Sequence, residues 1–138
     1  MRILIDTNIL LAIVPKRSSE RWLYEMLRND KLVLILSNEI IEEYEEKLAW
    51  FYSEYFAEIV LDELLNLPLT EQTEAFYKWQ LIEEDKDDNK FIDVAIASNA
   101  DYIITNDKHF KILHNITFPK VQAITIQEFK KVIENVYT

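Results

Sequence analysis

The sequence predicts an α/β fold: three layers, α/β/α, with a central, mainly parallel sheet. Two observations lead there. Short apolar runs recur at 2–6, 31–37, 101–105 and 121–125, and uninterrupted apolar runs of that length suit strands buried on both faces. Helical stretches separate most of these runs, and strands alternating with helices build a parallel sheet covered on either side. The size agrees: 138 residues, 49% hydrophobic and 29% charged, describe one globular domain, 1–138, with a single core.

In order along the chain, RILID (2–6) reads as a buried strand. Asn8 to Val14 reads as a short helix that Pro15 interrupts. Ser18 or Ser19 is placed to cap a helix carrying Trp22, Leu23, Met26 and Leu27, which ends near Asn29. KLVLILS (31–37) is the next strand, and Ser37 caps the helix NEIIEEYEEKLAW. Ser53 to Leu67 is a further helix, stopped by Pro68. Residues 70–83 fit either a strand or an irregular connection. Residues 87–100 form a mostly apolar helix, DYIIT (101–105) a strand, and NDKHFKILHN a loop with one helical turn. VQAIT (121–125) is the last strand; Thr125 and Glu128 then form a T-x-x-E capping box for a helix ending near Val136. The aromatic stretch WFYSEYF (50–56) reads as core packing.

Composition narrows the chemistry. There is no cysteine, hence no disulfide, no thiol nucleophile and no Cys-bound zinc. There is no glycine either, where average usage of ~7% predicts roughly ten. That excludes the dinucleotide fingerprint and the phosphate loop, and leaves Asn29, Asn66 and Asn99 to take left-handed helix ends. His109 and His114 fit no zinc-protease spacing. Chemistry therefore falls to carboxylates, hydroxyls, Lys and Arg. A net charge of −10 argues against binding nucleic acid through a basic surface. It does not exclude a nuclease, because a bound divalent cation inverts the local sign. No apolar run of about 18 residues predicts a membrane span, and the N-terminal strand leaves no room for a secretion signal, so a cytoplasmic location is expected.

The acids sort by position. In open parallel sheets ligands gather at the carboxyl ends of the strands. Asp6 ends the first strand and Asp107 follows the third, two residues past Thr105, so both fall at that rim. At roughly 100° per residue, helix 38–50 turns Ile40, Ile41, Tyr44 and Leu48 inward. Glu39, Glu42 and Glu46 then face outward, and only Glu43 and Glu45 flank the inward stripe. Asp88 sits at a helix N-terminus on the inward face, with Phe91, Ile92 and Ala95 after it at helical spacing. Asp93 lies about 140° round from Asp88, on a helix that is apolar almost all round. It suits a peripheral ligand or a partner to one; Asp85 and Asp87 read as a solvated loop.

Carboxylates held close together cannot all ionise unless a cation joins them. Oxygen ligands suit Mg2+ and Mn2+, which keep waters and bind phosphates. Such ions activate water and steady the leaving oxygen in phosphodiester hydrolysis. Asn8 and Thr105 are short polar groups at the same rim, suited to fixing a carboxylate. Lys90, Lys108 and Arg17 are candidate phosphate contacts.

Four stretches carry a family likeness: ILIDTNIL (3–10), LSNEIIEEYEEKL (36–48), DKDDNKFIDVAIA (85–97) and ADYIITNDKHF (100–110). In this order the chain resembles the PIN-domain ribonucleases, particularly the toxin components of prokaryotic toxin–antitoxin pairs. The resemblance implies a sheet between helices, an acidic pocket for Mg2+ or Mn2+, and endonucleolytic cleavage of RNA. Carried over residue by residue, it makes Asp6, Glu43, Asp88 and Asp107 the catalytic, metal-holding acids; Asp85 or Asp93 can share the third place. Asn8 and Thr105 match the family's polar positions. A cognate antitoxin and a homodimer are the implied partners. The rival readings are a Mg2+-dependent phosphatase or phosphoacceptor domain, and a non-catalytic scaffold of the same family that binds RNA or protein. A haloacid-type phosphatase would want Asp where Asn8 stands.

Overall fold

A computed structural model describes residues 1–137; Thr138 of the expected domain lies outside them. Five strands and six helices follow one another as β1 (Arg2–Ile5), α1 (Thr7–Ile13), α2 (Arg21–Arg28), β2 (Val33–Leu36), α3 (Asn38–Phe51), α4 (Glu54–Leu65), β3 (Glu71–Gln72), α5 (Asn89–Ser98), β4 (Tyr102–Ile104), β5 (Ala123–Ile124) and α6 (Ile126–Tyr137). Two 3-10 segments, Lys86–Asp88 and Lys108–Asn115, precede α5 and follow β4.

The sheet runs β3-β2-β1-β4-β5, every neighbouring pair parallel. On β1, Ile3 stands opposite Leu34 of β2 on one side and Tyr102 of β4 on the other. Ile3, Leu4 and Ile5 are all fully buried. Because successive strand side chains point to opposite faces, three buried in a row require cover on both faces. The chain winds from β1 outward to β2 and β3, then returns to lay β4 on the other side of β1. The winding direction therefore reverses between β1 and β4, the place where open α/β sheets hold ligands.

Local chemistry fixes what borders that crevice. Ser37 caps α3 by accepting from Ile40 N–H at 3.2 Å, and Ser53 caps α4 by accepting from Phe56 N–H at 3.0 Å. Tyr44, wholly buried on α3, donates its hydroxyl to the carbonyl of Ile5 at the end of β1. Its ring lies 6.5 Å from that of Phe91 on α5. One aromatic residue thus ties α3 to the central strand and to the helix that carries Asp88.

Several expectations are corrected. Asn99 does adopt the left-handed conformation, at φ 55°, but Asn29 and Asn66 do not; Asp30 and Gln80 do, at φ 57° and 54°. At the end of α2, Lys31 N–H bonds back to Met26 O at 3.0 Å. This six-residue closure places the left-handed residue one position after Asn29. Neither Ser18 nor Ser19 caps α2, which starts at Arg21; Ser18 Oγ accepts from Glu20 N–H in the preceding turn instead. Helix 87–100 divides into a 3-10 turn and α5, and residues 108–115 form a longer 3-10 run than one turn. In 70–83 only Glu71–Gln72 pairs with the sheet. The stretch 50–56 is not core: Trp50 is 82% exposed and Tyr55 74%. It spans the junction of α3 and α4, where Tyr52 packs against Phe51 and Phe56, and Phe56 is partly buried against the core. The capping box holds as expected, with Thr125 N–H to Glu128 Oε1 at 2.9 Å and Glu128 N–H to Thr125 Oγ1 at 3.1 Å. Among the described residues no helix is long and apolar enough to cross a membrane.

Candidate active site

Asp6 follows β1 directly and stands at the N-cap of α1, but its side chain makes no cap bond. Its carboxylate is buried and accepts the Thr105 hydroxyl at 2.8 Å, from the end of β4. Burial pushes the Asp6 carboxyl up to about 6; the Thr105 bond opposes the rise, and the charges of Asp107 and Glu43 add to it. Asp107 N–H donates to the same Thr105 oxygen at 3.0 Å, and Asp107 Oδ1 accepts from His109 N–H at 2.9 Å. Thr105 therefore joins the acids of two adjacent strands, and a turn fixes the second.

The other two acids arrive from the flanking helices. Asp88 is buried at the start of α5, again with no side-chain cap bond. Burial raises its carboxyl to about 8, with the charges of Asp6, Asp85 and Asp107 adding. Glu43 comes from α3: its Oε2 accepts the Thr7 hydroxyl and its Oε1 lies 2.5 Å from Lys90 Nζ. The structure separates the pair that helical geometry left open, since Glu43 faces the rim whereas Glu45 is exposed along the groove between α3 and α4.

Of the remaining candidates, Asn8 is exposed on the first turn of α1, and Lys108 and Arg17 are exposed. Lys90, read as a phosphate contact, is occupied by Glu43. Asp93 is buried but turned away from the rim, accepting Trp79 N–H at 3.0 Å.

Two residues that the sequence reading passed over belong here. Thr7, between Asp6 and Asn8, holds Glu43. His109 brings Nδ1 to 3.3 Å from Asp107 Oδ1 and 3.8 Å from Asp88 Oδ2. His109 fits no zinc spacing, but its place two residues past a rim acid, on the same turn, is a signal the sequence does carry. Asp85 is not merely a solvated loop residue either. One ligand atom each from Asp85, Asp88 and His109 lie within 4.8 Å of one another.

The electrostatics suit a divalent cation. Among the described residues, Asp88 Oδ2 and His109 Nδ1 are buried with no hydrogen-bond partner, a costly state unless something else binds them. Two carboxyls in the same crevice are held above their ordinary range by burial and mutual repulsion. A cation between Asp85, Asp88 and His109 would partner both unpaired atoms, and its charge would ease the repulsion on Asp6 and Asp88; oxygen donors are what Mg2+ and Mn2+ take.

A protein-family model described as PIN domain matches residues 2–109. No curated protein sequence matches the chain. Among solved structures, the chain is similar to one of VapBC2 from Rickettsia felis bound to a DNA fragment from their promoter, at 21% identity and a TM-score of 0.64, covering 91% of this chain and 98% of that one. At that identity the likeness is one of fold.

Proposed function

The chain belongs to the PIN domain family, and from that premise we propose that it is a Mg2+- or Mn2+-dependent endoribonuclease acting as the toxin of a toxin–antitoxin pair. The observation that carries the proposal is the pair of unpartnered ligand atoms, Asp88 Oδ2 and His109 Nδ1, buried where Asp6 feels the charges of Asp107 and Glu43 and Asp88 those of Asp6, Asp85 and Asp107. Asp6, Asp88 and Asp107 would hold the cation, with Glu43 completing the acidic wall. A divalent ion in that place supplies Lewis-acid polarisation of a phosphodiester and a water of lowered pKa.

The chain's own groups arrange the rest. Thr105 orients the Asp6 carboxylate toward the crevice, and the His109 N–H fixes Asp107. Thr7 fixes Glu43, and Lys90 places a positive charge beside it. Preorganised donors and charges of this kind lower a barrier because they need not reorganise as charge develops. RNA is the proposed substrate because the family resemblance reads so. The fold likeness to VapBC2 supports a cognate antitoxin as the partner, and a homodimer and a cytoplasmic setting belong to the same reading.

The test is cleavage of labelled single-stranded RNA by the purified chain with Mn2+ or Mg2+, with an EDTA control and Asp6→Asn. Cation-dependent cleavage that the variant lacks supports the proposal. Phosphate release from small phosphomonoesters with RNA intact would favour a phosphatase, and RNA binding without turnover a scaffold.

A further inference from the structure

A cluster of aromatic side chains is held against α5 at Asp93, five residues past Asp88, and the nuclease chemistry does not use it. Trp79 makes edge contacts with Tyr77 at 4.7 Å between ring centroids and with Phe118 at 6.3 Å. Tyr77 is 67% exposed and Phe118 82%. Aromatic surface so open to water is not retained for the core's sake.

The segment that carries Trp79 is deliberately held. Trp79 N–H bonds to the buried Asp93, and Asn89 grips Ile82 twice, Ile82 N–H to Asn89 Oδ1 at 2.9 Å and Asn89 Nδ2 to Ile82 O at 2.8 Å. Between these clamps Gln80 is forced left-handed at φ 54°. A non-glycine residue in that region is strained, and strain persists where surrounding contacts over-determine it. Two α5 side chains thus spend their hydrogen bonds on presenting a loop whose rings stay wet.

The placement links the cluster to the rim. A cavity of about 640 Å³ lies beside α5, its charged lining being Glu39, Lys78, Glu83, Asp87, Lys90 and Asp93. Lys90 is the residue bonded to Glu43. From Asp88 to Asp93 the helix rises about 7.5 Å, one to two nucleotides of a single strand. Phe118 lies within residues 108–127, a stretch with three lysines, two histidines and no acid in a chain whose net charge is −10. It begins immediately after Asp107.

We propose that Trp79, Tyr77 and Phe118 form a stacking platform for the bases of single-stranded RNA flanking the scissile phosphate. The proposal rests on the ribonuclease reading and adds a substrate-binding subsite to it. Unstacked bases bind flat aromatic faces irrespective of sequence, whereas duplex bases are not available to them. Lys108, Lys111 and Lys120 add positive charge to the stretch that carries Phe118, in a chain whose net charge is −10.

The test uses the full chain in an Asp6→Asn background with Mg2+, so that RNA is bound but not cut. The probe is a fluorescent single-stranded RNA 12-mer and the same length made abasic. Adding Tyr77→Ala and Phe118→Ala, both at exposed rings, is expected to weaken binding of the intact RNA at least fivefold and to leave the abasic strand unchanged. Equal losses for both strands, or none for either, would overturn the platform while leaving the ribonuclease reading intact. Loss of self-association instead of RNA binding, read by sedimentation, would assign the rings to a second copy and overturn it as well. If the wild-type protein does not cut RNA with Mn2+ and the Asp6→Asn variant does not bind it, both readings fall.

Discussion

Thr105 Oγ1 donates to Asp6 Oδ2 at 2.8 Å while accepting the Asp107 N–H at 3.0 Å. A single hydroxyl at the end of β4 thus aligns two acids from neighbouring strands.

Replacing it tests how much the crevice depends on that alignment. Thr105→Val keeps the shape but removes the donor and the acceptor, leaving a buried carboxylate and a buried N–H without their partner. Stability should fall by about 1–3 kcal/mol, read by urea titration, and RNA cleavage should fall at least tenfold. Thr105→Ser restores the hydroxyl and should recover most of both.

Lys90 and Glu43 give a different test. Their side chains are each only 16% exposed, and removing the ammonium makes the crevice more negative. Lys90→Met should tighten Mn2+ binding several-fold by calorimetry while lowering cleavage. Unchanged affinity would place Lys90 outside the field of the cation.

The buried carboxyls predict an unusual pH response for the metal-free chain. Asp6 rises from 3.8 to about 6 on folding, worth about 3 kcal/mol on the charged form, and Asp88 rises to about 8. The folded state therefore holds protons that the unfolded state has released. This contribution is fully present below pH 4 and is lost as pH rises through 6 and 8. In EDTA the melting temperature contributed by these groups should decline between pH 5 and pH 8. Mn2+ should raise it by several degrees at pH 8 and little at pH 5, because the ion binds the deprotonated acids. A cation effect independent of pH would argue against these carboxylates as its ligands.

Tyr44→Phe should cost about 1–2 kcal/mol in urea titration, because the buried Ile5 carbonyl loses its hydroxyl donor. No other change to the packing against Phe91 is required.

The sequence carried the sheet legibly because β1, β2 and β4 are continuous apolar runs, and hydrophobic burial, a local property of each run, decides their fate. It also placed Asp6, Thr105 and Asp107 at one rim, since strand ends and chain order suffice for that. Helical periodicity narrowed α3 to Glu43 or Glu45 but could not choose, because both flank the buried stripe; the choice depends on how α3 sits over β1, set by the distant contact of Tyr44 with Ile5. Asp93 illustrates the opposite limit. A buried acid on an apolar helix has the look of a ligand, yet its partner is a backbone N–H in the irregular segment after β3, which carries no periodic signal. Thr7 and His109 were missed because side-chain reach across the crevice is a tertiary property. The cap at Asp30 rather than Asn29 differs by one residue, the resolution at which local pattern stops.

Both outermost strands of the sheet, β3 and β5, are only two residues long. A second chain finds almost no free ladder of N–H and C=O groups there to extend, which is how natural sheets resist lateral growth into fibrils. Copies of this protein, crowded together during synthesis, are thereby steered toward contacts through side chains on helices and loops. Those contacts are reversible and tunable by charge, whereas backbone zippering is neither.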